Sequence, residues 1–410
     1  MDQKLNIGIV ARNQEMGVAV YTHNLIRALA TLPPEERPRV TLFCAERSDL
    51  FDEVEPLVDR LILYRPLLEA PPTRKVLYAL RYLKTAITVF LLGEAQPELA
   101  FAARRAGVDA VYAVTNSHTR LLPNAIAWIP DLQNCALPHL FSVAERKSRD
   151  YRFSRLLHDP RRHVVFSSHH ALDHARDSYG PISAHTHVMH FATVPEPSWS
   201  GDIAPVLKRY DVPKQYLMAC NVWAVHKDHE TLIRAIALLR RNGTKVNVVC
   251  TGANWERRRP EHFAAMQALI RDLELEPQFT ILGLIPRLDQ VMLIRGASAI
   301  IQPSRFEGWS TVIEDARAVG TPVIASDFPV HVEQNVPGTI FFQQGDPEDC
   351  ARAIREHLKR GSGPAAAVNE QMERVAEFGR KFVSIVRATS VRNNVSPELP
   401  EMFHEQVDAI

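Results

Sequence analysis

The sequence predicts an α/β protein of two doubly wound domains facing a central cleft. Three observations carry that reading. Short β-rich apolar runs alternate with segments at helical spacing along most of the 410 residues. The runs lack polar alternation, which is the pattern of parallel strands covered by helices on both faces. The rhythm pauses at ATVPEPSWSGDIAP (192–205), a proline-rich stretch that reads as a linker, and then restarts.

In the first half, LNIGIVA (5–11), RVTLFCA (39–45), RLILY (60–64), DAVYAV (109–114), AIAWI (125–129) and HVVFSS (163–168) read as strands. Residues 18–32 have helical spacing, with Val20, Leu25, Ile26 and Leu29 as expected core contacts. In the second half, QYLMACN (215–221), VNVVCTG (246–252), FTILG (279–283), SAIIQPS (298–304), TPVIAS (321–326) and GTIFF (338–342) read as strands, with helices at 230–240 and 261–273. Helices between parallel strands imply right-handed crossovers. Ligands in such sheets lie beyond the carboxyl ends of the strands, so the cleft is the expected site.

Composition excludes several classes. Lys+Arg total 48 and Asp+Glu 47, a net charge of +1, without the basic excess of a general nucleic-acid binder. No window approaches a membrane span, and the apolar stretch near the N-terminus is too short for a signal peptide. Five scattered cysteines without C-x-x-C spacing read as buried reduced thiols of a cytoplasmic protein, not as a disulfide frame or metal site.

The densest chemical signal is SRFEGWSTVIEDARAVGTPVIASD (304–327). A strand ends at Pro303, Glu307 and Gly308 make the turn, and Ser310 or Thr311 caps a helix starting near Val312. Amide groups at a helix N-terminus after such a loop suit a phosphate. Glu307 at the cleft edge repels phosphate but can accept from sugar hydroxyls, and Asp315, eight residues on, can accept from a ribose. A phosphate pocket flanked by two such carboxylates describes a nucleotide-sugar site.

This segment resembles the signature of the retaining glycosyltransferases of family 4, the group-1 glycosyltransferase domain, whose pattern is E-x7-E. The resemblance implies the GT-B fold of two Rossmann-like domains: residues 1–195 for the acceptor, 196–385 for the donor, and a tail, 386–410, returning to the first domain. Ungapped, Glu307 matches the first acid and Asp315 the second; Glu314 immediately precedes it, and register favours Asp315 as the ribose reader. NVWAVHKDHETLIRAIALL (221–239) resembles the family's first donor-domain strand-loop-helix, and Lys227 falls on its diphosphate-contacting lysine. Val222 stands where many relatives have an arginine, so Asn221, His226, Arg305 or Arg287 are candidates to share the phosphate role. FTILGLIPRLDQ resembles the segment whose backbone, at Gly283 and Leu284, cradles the base; Gly308, Trp309, Ser310 and Thr311 complete the donor side. On the acceptor side stand Gly17, after the first strand, and AIAWIPDLQN, where Pro130 replaces the family's histidine, Asp131 matches its aspartate and Asn134 replaces another histidine. His118 is a candidate substitute.

The resemblance implies transfer of a hexosyl group from a nucleoside-diphosphate sugar to a saccharide or lipid-linked saccharide, with retention and without a cofactor. Glu307, Lys227 and Asp131 are the expected catalytic set. No D-x-D metal clamp occurs, and His185, His187 and His190 do not complete a metal set, because His190 falls off the strand face of the other two. RKVLYALRYLKTAITVFLL (74–92) brings Arg74, Tyr78, Arg81 and Lys84 or Thr85 toward one helix face. That suits an anionic inner membrane face, a solvated face being the plainer reading. Two other functions fit the same features: a nucleotide-sugar epimerase, and a non-catalytic nucleotide-sugar-binding protein.

Overall fold

A computed structural model of the chain describes residues 4–11, 16–48, 51–64, 75–360 and 368–390. Among these, β1 (Asn6–Val10), β2 (Arg39–Cys44), β3 (Arg60–Leu63), β4 (Ala110–Val114), β5 (Ala125–Ile129), β6 (His163–Phe166) and β7 (His185–Val188) form one parallel sheet, ordered β3-β2-β1-β4-β5-β6-β7. A second parallel sheet, ordered β10-β9-β8-β11-β12-β13, contains β8 (Leu217–Cys220), β9 (Val248–Thr251), β10 (Phe279–Gly283), β11 (Ala299–Gln302), β12 (Val323–Ser326) and β13 (Ile340–Phe342). The first-half helices are α1 (Met16–Thr31), α2 (Lys75–Leu92), α3 (Pro97–Arg105), α4 (Gln133–Ala136), α5 (Val143–Leu157) and α6 (His169–Tyr179). The remainder are α7 (Ala204–Arg209), α8 (His229–Arg241), α9 (His262–Asp272), α10 (Arg287–Gly296), α11 (Thr311–Val319), α12 (Pro329–Gln334), α13 (Pro347–Arg360) and α14 (Val368–Ser390).

Strand order reverses between β1 and β4 in one sheet and between β8 and β11 in the other. Connections diverge at such points and open a crevice at the strand ends. The central strands are buried because both faces are covered; β8, β9, β11 and β12 are buried at every residue, whereas the edge strands β3, β7 and β10 are only partly covered. This is why the central sequences are continuously apolar.

Three features differ from the sequence reading. Val20 does not join Leu25, Ile26 and Leu29 in the core; it lines the cleft, because α1 turns that residue toward the opposite sheet. The proline-rich stretch connects the two sheets as a linker, but it is packed in place. Thr193, Val194 and Trp199 are buried, the Val194 amide donates to Asn24 at 2.7 Å, and Gln371 donates to the Thr193 carbonyl at 2.6 Å. The return to the first half is made by α14, whose Val375, Phe378, Phe382 and Val386 enter the core around α1 and β1. Their spacing of three and four residues is helical, but their burial needs the distant first sheet. Residues 391–410 lie outside the described residues.

The first core also takes in Phe306, Trp309, Phe328 and Val330 from the second half. The two halves therefore share apolar packing directly behind the cleft. Among the cysteines, Cys44, Cys220, Cys250 and Cys350 are buried, Cys135 is half-buried, and all five are free thiols.

Gly252 supports the cleft floor. Its φ is +128°, and a Cβ there would strike the Asn221 carbonyl group. Its amide donates to the Gly283 carbonyl at 2.9 Å. Gly252→Ala is expected to destabilise the protein by about 1–3 kcal/mol, the usual cost of forcing a side chain into such a conformation, read as a lower denaturant midpoint at unchanged slope.

Candidate active site

The loops leaving β8 and β11 lie side by side where strand order reverses, and they carry the polar groups of a cleft of about 490 Å3. That volume suits a small-molecule ligand. Gly17, Tyr21, Trp128, Pro130 and Asp131 form the first-half wall. Asn221, Lys227, Glu307, Thr311 and Asp315 face them from the second half.

Lys227 sits in a single 3-10 turn after β8, and Glu307 in the turn after β11. Lys227 Nζ donates to Glu307 Oε1 at 2.6 Å, and Gln302 Nε2 donates to the same oxygen at 2.7 Å. Gln302 is fixed in turn by Asn221, which donates to its Oε1 at 2.9 Å. Burial alone pushes the Glu307 carboxyl up, but Lys227 and neighbouring histidines outweigh it and hold the group below the usual carboxylate range. Glu307 is therefore ionised and Lys227 keeps spare N–H donors. His226 is different: burial and the adjacent Lys227 lower it to about 3, so it is neutral at physiological pH and offers no positive charge to a phosphate.

The start of α11 completes the donor set. Ser310 caps the helix by accepting from the Ile313 amide at 3.4 Å, and its own amide donates to Gln334 at 3.1 Å. Among the described residues, the Thr311 and Val312 amides have no protein acceptor. Both residues line the cleft. First-turn amides and the helix dipole together favour an anion at this point.

Asp315 lies on the cleft side of the same helix. Arg287 grips it with two bonds of 2.6 Å, and the Thr193 hydroxyl donates to it at 2.9 Å. Glu314 is turned away. It is fully buried, accepts from Gln334 at 3.0 Å and pairs with Arg317 and with Arg374 of α14. Adjacent helical residues point about 100° apart, so the two acids cannot share one wall.

Trp309 lines the cleft and donates from its indole to the Phe191 carbonyl at 3.1 Å. Gly308 touches the first half: a Cβ would collide with the Pro130 carbonyl oxygen and lie 3.1 Å from the Asp131 Cβ. Asp131 reaches the cleft, with one oxygen accepting from the Gln133 amide at 3.0 Å.

Several expected residues lie elsewhere. Arg305 does not line the cleft; it pairs at 2.8 Å with Asp228, the residue preceding α8, which does not line the cleft either. Of the expected base-cradling segment, Leu284 and Ile285 line the cleft and Gly283 stops short of it. Asn134 is buried and donates to Asp150 at 2.9 Å, one residue past the cleft-lining Gln133. His118 packs beside Tyr151, with ring centroids 6.4 Å apart, and does not line the cleft. Gln302 was absent from the sequence reading; its signal is a polar residue ending an apolar strand. Arg287, one of four alternative candidates for the phosphate role, binds Asp315.

Among the described residues, the one cluster able to ligate a metal is His169, His190 and Glu333, outside the cleft. There Glu333 already accepts from His190 at 2.7 Å and from the His169 amide at 2.6 Å. His187 bonds His163 at 3.0 Å instead of joining His190.

Residues 209–382 match the family described as glycosyl transferases group 1. The O-antigen chain mannosyltransferase RfbU of Salmonella typhimurium is 31% identical over 97 residues, 24% of this chain and 28% of the relative. The match thus spans about a quarter of that relative's length. A glycosyltransferase from Rickettsia africae ESF-5 superposes with a TM-score of 0.64 at 16% identity, over 95% of this chain and 99% of the other. HepE of Anabaena, solved with UDP and glucose, gives 0.60 at 15% identity over 94% and 97%. These likenesses establish the GT-B fold.

Proposed function

We propose that this chain, whose residues 209–382 form a group 1 glycosyltransferase domain, transfers a hexosyl group from a nucleoside-diphosphate sugar to a saccharide or lipid-linked saccharide with retention of configuration. The observation that carries the reading is the convergence of Lys227, Glu307 and the Thr311 and Val312 amides in one cleft. The diphosphate sits on the amides and Lys227. The sugar ring lies toward Gly17 and Asp131, with its hydroxyls donating to Glu307. The ribose lies along Asp315, and the base along Leu284 and Ile285. HepE, which shares the fold, is described with UDP and glucose, and that supports a nucleotide-sugar donor here.

In transfer, the bond from the anomeric carbon to the diphosphate oxygen breaks through an oxocarbenium-like state. The acceptor hydroxyl attacks from the same face, and its proton passes to a departing phosphate oxygen. Charge grows on the diphosphate, where Lys227 and the helix amides stabilise it, usually the largest catalytic contribution. Closure of the two walls excludes water and protects the donor from hydrolysis.

A thermal-shift screen against uridine, guanosine and adenosine diphosphate sugars tests the reading. A true donor at a hundredfold excess over its Kd should stabilise the protein by about 2.7 kcal/mol, and Glu307→Ala should weaken the response to the sugar more than to the bare diphosphate. Absence of a shift with every donor would overturn the assignment. Product analysis with and without acceptor separates transfer from epimerisation.

A further inference from the structure

Helix α2 is unlike every other long helix of the first half. It is apolar throughout apart from Lys75, Arg81, Lys84, Thr85 and Thr88, and it contains no acidic residue. An apolar helix of this length ordinarily supplies a core. Yet among its described side chains, residues 83–92, none is buried. Leu83, Ile87, Phe90 and Leu91 are 57%, 47%, 88% and 67% exposed. Their spacing places them along one ridge of the helix. On neighbouring α3, Phe101 is also exposed.

The ridge has a cationic border. Lys84 ties α2 to Glu98 of α3. Arg120 is exposed and lies over the end of α2, with its Cδ 3.2 Å from where a Cβ on Gly93 would stand. Arg104 of α3 is exposed, anchored through its Nε to the Leu121 carbonyl at 2.7 Å. No described helix is long and apolar enough to cross a membrane. An apolar ridge with basic flanks and too little length to span is the make-up of a helix lying in a bilayer interface.

We propose that α2 is a membrane-docking helix. Phe90, Leu91, Ile87 and Leu83 enter the headgroup boundary of an anionic lipid bilayer, and Arg104 and Arg120 meet its surface charge. A second copy of the chain fits less well, because a two-fold contact on this ridge sets the same basic residues against each other. Anionic lipid instead complements them. The ridge belongs to the half that forms the acceptor-facing wall, so docking brings that wall to the surface where a lipid-linked saccharide resides.

Flotation of the full chain with vesicles tests this, and it reads binding alone, independent of transfer. At low salt, most of the protein should float with mixed phosphatidylcholine and phosphatidylglycerol vesicles, and much less with phosphatidylcholine alone or at high salt. Phe90→Ser combined with Leu91→Ser should weaken binding at least about tenfold through loss of two apolar anchors, at unchanged melting temperature, since both side chains are already exposed. Failure to float with anionic vesicles would overturn the proposal. So would equal flotation of the double variant, or a dimer in light scattering that the double substitution dissolves without vesicle binding in either form.

Discussion

Lys227→Ala is expected to lower turnover by about 100-fold or more, as removal of a key electrostatic partner does, and to reverse the pH dependence of stability near pH 5. The reason is the buried pair. Lys227 and Glu307 are both largely shielded from water and 2.6 Å apart. In the intact protein Glu307 titrates below its ordinary value, so its contribution to stability is present above the unfolded carboxyl range and is lost as pH falls through the depressed value. Without Lys227 burial dominates and the carboxyl moves up. The variant then binds more protons folded than unfolded in the range above the ordinary value, so it loses stability as pH rises there. Breaking a buried pair by removing one partner costs about 3–5 kcal/mol. Melting temperature measured from pH 3 to 7 should therefore climb with pH below about 5 and then level off in the parent, whereas in Lys227→Ala it should fall as pH rises above about 5. Lys227→Arg, which keeps the charge, should restore the parent stability profile. Activity unchanged in Lys227→Ala would refute the assignment of the diphosphate to this lysine.

Gly308→Ala should act on geometry. The position has no room for a methyl group, because the rigid Pro130 carbonyl of the opposite wall occupies that space. The severe contact is with backbone, which cannot swing aside as a flexible side chain can, so the strain is relieved by separating the walls. A misplacement of about 1 Å between reacting groups can cost about 100-fold in rate. Nucleotide binding should survive within a few-fold, since Lys227, Asp315 and the α11 amides all belong to the second half. Turnover should fall by one to two orders of magnitude with little change in diphosphate affinity. A variant with parent turnover, or one that loses nucleotide binding in proportion, would show that the Gly308 approach does not set the spacing of the two walls.

Among the acids, the spacing of Glu307 and Asp315 was legible because a strand end, a capping serine and a helical turn are set by contacts within a few residues. The facing of Glu314 was not, since the helix period gives the angle between neighbours but not which of them meets the cleft. Arg374 arrives on α14 from 60 positions away to claim Glu314. Asn134 lies outside the cleft for a related reason. Family register places a residue along the chain, whereas one further residue after β5 rotates the side chain from the cleft into the packing against Asp150.

The sequence by itself determined the two parallel sheets, through apolar runs that only double-faced burial explains, and the polar start of α11, through its cap and glycine turn. Tertiary structure decided the partners. Lys227 meets Glu307 across 80 positions, Arg287 meets Asp315 across 28, and Thr193 reaches Asp315 across 122. Local preferences are fixed by neighbours in the chain; such pairings depend on how two sheets are brought together, and no short window of residues contains that information.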